Sequence, residues 1–111
     1  MINQIFSIRG ATTVTENTAE AIAERSVELI KAIADRNGLS ERNDLEATDI
    51  LISTTKDLTS TYPAKAIRES GIVRAPLFSM QEPAIDGALS KCIRLMVRVA
   101  NYGERVEPRH V

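Results

Sequence analysis

Apolar and polar positions change period several times along this chain. Residues 3–9 alternate loosely, with Ile5, Phe6 and Ile8 set among Asn3, Ser7 and Arg9, which predicts a strand ending at Gly10. The polar, β-branched Ala11-Thr12-Thr13-Val14 reads as a loop or as an extension of that strand. Next, Ala21, Ile22, Val27, Ile30, Ile33 and Ala34 recur at helical spacing, and Asn17 followed by Glu20 is a variant of the capping box. A helix over 18–36 is expected, stopped at Asn37-Gly38, where glycine supplies the left-handed residue. Residues 39–47 are polar, with one short turn expected around 40–44.

The near-continuous apolar, β-branched run at 49–54 predicts a buried strand. Pro63 suits the first turn of a helix over 64–70 that Gly71 closes. A third strand is expected over 75–81, then a turn at Pro83, Asp86 and Gly87. Ile93, Leu95, Val97 and Val99 alternate with Cys92, Arg94, Met96 and Arg98, which favours a strand with one apolar face; a helix beginning at Asp86 is the rival. Residues 101–108 read as a loop, and Arg109-His110-Val111 as the start of a strand. The order is β-α-β-α-β-β. It implies an α+β fold, a mixed sheet with helices on one face, parallel neighbours across the helical crossovers and an antiparallel pair from the last strands. A four-residue apolar face on the late strand suggests cover from a second subunit.

Composition narrows the function. The 111 residues suit one domain spanning 1–111, and 43% hydrophobic with 26% charged describes a globular rather than a disordered chain. Fourteen basic residues against fifteen acidic leave a net charge of −1, with no overall basic field for nucleic acid. Aromatics are limited to Phe6, Tyr62, Phe78 and Tyr102, too few for base-stacking platforms. No apolar run approaches a membrane span, and the N-terminus lacks the charged start and apolar core of a signal peptide, so the cytoplasm is the expected compartment. Cys92 alone excludes an internal disulfide, and its apolar neighbours suggest a buried, inert thiol. His110 is the only histidine and reads as structural or surface. No phosphate-binding glycine loop, metal cluster or catalytic triad is evident, so no cofactor is expected.

What remains is charge in unusual places. Arg9 ends the first strand, Glu82 closes the third, and Arg94 interrupts an apolar strand on the face of Cys92 and Met96. A charge inside a strand is costly unless paired. An ion pair between Arg94 and Glu82 is one reading. The other is a dry pocket of two arginines and a carboxylate, fit for a small dianion that carries a hydroxyl.

Five blocks then stand in a recognisable order: Ile8-Arg9-Gly10-Ala11-Thr12-Thr13-Val14, Tyr62-Pro63-Ala64-Lys65-Ala66-Ile67-Arg68-Glu69, Met80-Gln81-Glu82, Lys91-Cys92-Ile93-Arg94 and Arg109-His110-Val111. Together the chain resembles the small trimeric chorismate mutases of the Bacillus type. The resemblance implies a homotrimer with a barrel-like core and active sites between subunits. It implies the Claisen rearrangement of chorismate to prephenate, in aromatic amino acid biosynthesis, without metal or organic cofactor. Arg94 matches the arginine that donates to the breaking ether oxygen, Arg9 one that binds a substrate carboxylate, and Glu82 the glutamate that accepts from the ring hydroxyl. Tyr62 takes the aromatic wall position, and Ala64, Lys65, Leu77 and Phe78 match the pocket rim. Ser79 stands where the family type has a cysteine, and Arg68 aligns with an arginine near the pocket.

In the family, Arg-His-Val runs on into a tyrosine and a mobile tail; this sequence stops at Val111, so a pocket without that cover is expected. Two rival functions fit a similar architecture. One is a non-catalytic small-molecule binder. The other is a deaminase-like trimer acting on enamines or imines, which needs one arginine against a carboxylate and no pairing of Glu82 with Arg94.

Overall fold

A computed structural model describes all 111 residues. Its elements are β1 (Gln4–Thr13), α1 (Ala19–Asn37), β2 (Leu45–Thr54), α2 (Pro63–Ser70), β3 (Leu77–Gln81) and β4 (Cys92–Asn101), the α+β order that the periodicities predict. The four strands make one mixed sheet in the order β1-β4-β2-β3. β2 and β3 are parallel across the α2 crossover, and β4 lies antiparallel to both β1 and β2. The last two strands are therefore not a pair, contrary to expectation. β4 carries Ile93, Leu95, Val97 and Val99, all 0–3% exposed, and the centre of the sheet is where so apolar a strand is covered best. The rival helix from Asp86 does not form.

Both helices pack into one core against a single sheet face. Ile22, Leu29, Ile30 and Ile33 of α1 and Ile67 of α2 meet Phe6, Ile8, Ile50, Ile52 and the β4 row in one buried cluster. The apolar face of β4 is thus covered by the chain's own helices and needs no second subunit. The opposite face is the bare one: Phe78 is 63% and Met80 42% exposed, beside half-buried Leu51 and Met96.

Boundaries differ from the sequence reading for identifiable reasons. β2 begins at Leu45 because a bulge between Ala47 and Asp49 shifts the phase of alternation. The N-cap of α1 is Thr18, whose side chain accepts from the Ala21 N–H. Asn17 instead holds the 59–60 loop, its Oδ1 accepting from the amides of Thr59 and Ser60 at 3.0 and 3.2 Å. Gly38 and Gly71 end their helices in left-handed geometry, as predicted.

Gly10 does not end β1 but sits within it, under α1. A Cβ there would lie 2.9 Å from Ile33 Cδ1 and 3.0 Å from Leu29 Cδ1. Gly10→Val is therefore expected to cost about 1–3 kcal/mol, the usual penalty of overpacking a core. Chemical denaturation would read this as a lower midpoint; an unchanged midpoint would show that α1 yields freely.

Candidate functional site

On the sheet face away from the helices lies an open groove of about 510 Å³. Strand alternation aims Arg9 of β1 and Arg94 of β4 into it, with Arg9 opposite Met96 and Arg94 opposite Ala11. Glu82 follows β3 and prolongs its ladder, donating its N–H to Thr54 O at 3.0 Å. Arg94 Nε donates to Glu82 Oε2 at 3.1 Å. The other carboxylate oxygen, Oε1, is buried and has no hydrogen-bond partner. The ion pair and the groove thus coexist. The groove is not dry: the Arg94 side chain is 48% exposed, against 20% for Glu82. Cys92 is fully buried, and burial pushes its thiol up, against the opposing pull of the Arg94 charge. The burial is as expected.

The other predicted site residues fall elsewhere. Tyr62 and Ser79 line a second cleft, of about 660 Å³, with Thr54, Thr59 and Gln81; Met80 borders both cavities. Lys65 lies beside Tyr62 in a smaller hollow between α1 and α2. Ala64 and Leu77 are half-buried against the core. Phe78 projects from the bare sheet face, and Arg68 lies exposed in the last turn of α2. None of these lines the groove of Arg9 and Arg94.

Two sets of supporting residues escaped the sequence reading. One begins β4. Thr55 Oγ1 donates to Asp57 Oδ1 at 2.6 Å and accepts from the Cys92 N–H at 2.9 Å, while both Asp57 oxygens accept from the Lys91 N–H. This clasp fixes Lys91 in a left-handed conformation, φ 47°, three residues before Arg94. The Thr55 hydroxyl, with the Lys91 amide and charge, holds the Asp57 carboxyl below its usual range against the opposing effect of desolvation. A carboxylate with a lowered folded value stabilises the fold above its unfolded pKa of about 3.9 and loses that effect as pH falls through the folded one. Asp57→Asn should remove about 1 kcal/mol at neutral pH, a charge-assisted bond discounted for partial exposure. It should also flatten the loss of stability below about pH 4. Denaturation at pH 7 and pH 3 tests this; equal losses at both would rule the carboxylate charge out.

The second set docks the C-terminus. Buried Asn101 Nδ2 donates to Gln4 Oε1 at 2.9 Å, and Gln4 exchanges two bonds with the backbone of Val106. Asn37, at the end of α1, exchanges two more with the backbone of Arg109. Val111 then runs beside β1, giving its N–H to Arg9 O at 3.0 Å. These residues form no strand of their own, but they do pair with the sheet edge. His110 lies at the surface and lines the groove. Polar residues at these positions give no sequence signal, because their partners are distant in the chain.

No three His, Cys, Asp or Glu side chains cluster as metal ligands. No helix is long and apolar enough to cross a membrane. Two guanidinium groups and a carboxylate with a free acceptor stand on one face of a mixed α+β sheet, a set of donors and acceptors chemically suited to a small anion that also carries a hydroxyl. Residues 5–111 match the family model for chorismate mutase type I. The chain is 39% identical to the chorismate mutase AroH of Bacillus subtilis (strain 168), over 96% of this chain and 83% of the relative. It is 40% identical to the chorismate mutase AroH of Thermus thermophilus, over 96% and 86%. A solved chorismate mutase from Clostridium thermocellum superposes with a TM-score of 0.80 at 38% identity, covering 96% of this chain and 92% of that one. The chain belongs to the chorismate mutase type I family.

Proposed function

We propose that this protein is an isomerase that rearranges chorismate to prephenate, with Arg94, Arg9 and Glu82 as its principal site residues. The reaction is pericyclic, so the protein has to hold the substrate compactly and set charge against the polarised transition state. Arg94 donates to the breaking ether oxygen and stabilises the negative charge that develops there. Arg9 binds a substrate carboxylate through its planar fork. Glu82 accepts from the ring hydroxyl. The observation that carries this reading is Glu82 Oε1, a buried acceptor without a partner while Oε2 holds Arg94. A buried carboxylate oxygen of that kind suits a hydroxyl donor.

The second half of the site is Tyr62, Ala64, Lys65, Leu77, Phe78 and Ser79, brought by another copy of the chain. Support comes from their placement away from the arginine groove and from the uncovered apolar face around Phe78 and Met80. A homotrimer with a barrel-like core meets both conditions. Ser79 can donate and accept as a hydrogen-bonding group near the hydroxyl. The same reading makes chorismate and prephenate the small-molecule partners and the cytoplasm the compartment. The deciding experiment mixes purified protein with chorismate and follows its absorbance, with the product identified by acid conversion to phenylpyruvate. Saturable loss of chorismate to prephenate is expected. Binding without turnover would leave a non-catalytic binder, and no binding at all would remove chorismate as the ligand.

A further inference from the structure

We propose that His110 is a positioning residue for Arg9, an inference that rests on the groove being the substrate site. β1 lies at the edge of the sheet, so the backbone groups on its open side need partners from elsewhere. The C-terminal segment supplies them in an unusual way. Val111 N–H donates to Arg9 O at 3.0 Å, and Ala11 N–H donates to Val111 O at 3.3 Å, the pattern of one parallel bridge. One step further back, a regular parallel ladder would bring the Arg9 N–H to the carbonyl of Arg109. That carbonyl is turned away, accepting from Asn37 Nδ2 at 3.0 Å, while Arg109 N–H donates to Asn37 Oδ1 at 2.9 Å.

The Arg9 N–H meets His110 Nδ1 instead, at 2.9 Å. An amide N–H can only donate, so the ring nitrogen facing it is unprotonated and accepts. The imidazole stands in for a strand carbonyl at the very residue whose guanidinium enters the groove. It closes the clasp begun by Val111, which holds the carbonyl of the same residue on the same open edge. Through that clasp His110 fixes the backbone from which Arg9 reaches towards the substrate, and seats the C-terminal segment as part of the groove's wall.

The test uses the full chain with three substitutions. Asparagine carries its Oδ1 close to the place of the imidazole Nδ1, glutamine carries its acceptor one bond further out, and alanine has none. In His110→Ala the Arg9 amide should exchange with solvent about tenfold faster by NMR, the range one neutral hydrogen bond supports. His110→Asn should return it to within about threefold of the original rate, and His110→Gln should not. In kinetics with chorismate, His110→Ala should raise KM about three- to tenfold with kcat changed less, because a carboxylate is held in ground and transition state alike. His110→Asn should recover most of that KM. Unchanged Arg9 exchange in His110→Ala, or an asparagine variant no better than alanine, overturns the clasp. Changed exchange with an unchanged KM overturns its link to the substrate site. The exchange pattern needs no turnover, so an unsubstituted chain that fails to convert chorismate yet shows this pattern would refute the reaction and leave the clasp standing.

Discussion

Replacing Arg94 with alanine should lower the turnover of chorismate about 100- to 1000-fold, the cost of losing a preorganised donor to developing charge. The fold should survive. The Arg94 side chain is 48% exposed, its one protein partner is Glu82, and exposed pairs contribute about 0–1 kcal/mol. The core beneath it is built from the other face of β4, where Ile93, Leu95 and Val97 lie buried. Arg94→Lys should recover only part of the rate, because an ammonium has no planar fork to hold Glu82 and the ether oxygen together. Steady-state kinetics with a thermal melt of each variant decides the matter. A variant that unfolds, while any folded fraction turns over normally, would make the arginine structural.

The second large effect concerns assembly. If the proposed trimer closes over the bare face of the sheet, Phe78→Asp should convert it into smaller species in sedimentation. Phe78 is 63% exposed on β3, level with Leu51 of β2, which in turn pairs with Met96 of β4. Met80 and Ser53 form the adjoining pair on the same face. Burying an aromatic side chain at an interface stabilises it by roughly 1.5–3 kcal/mol. Setting a carboxylate there adds a desolvation cost of several kcal/mol per copy. Across three copies the two effects exceed what an interface of ordinary affinity withstands. The substitution faces solvent in the single chain, so each subunit should keep its melting behaviour. If Phe78→Asp leaves the mass unchanged, the bare face of the sheet is not the interface.

Much of this was legible from residue order alone. The two periodicities, near 3.6 for 18–36 and 2 for 92–99, come from which neighbours share a face, and that is a local property of helix and strand. Gly38 and Gly71 end helices by their own backbone freedom. Glu82 and Arg94 announced themselves as charges where strands are normally apolar, and the structure joins them at 3.1 Å.

Other features had no local signature. Gly10 looked like punctuation, but its missing side chain makes room for Leu29 and Ile33, about twenty residues away. The bulge at 47–49 hid the start of β2 because it shifts alternation by one residue. Alternation in β4 does not say which face needs outside cover: helix α1 shields the row of Ile93, while the bare face belongs to Leu51, Met96 and Phe78. Asn37, Gln4 and Asn101 steer the C-terminal segment to the edge of β1 through partners 72 to 102 positions distant. Alternation, glycine stops and misplaced charges are set by neighbours a few bonds apart, so the sequence by itself determined the elements and singled out Arg9, Glu82 and Arg94 as charges on or next to strands. Strand order, the covered face and the clasp at Arg9 depend on which distant surfaces fit together, and only the tertiary structure decided those.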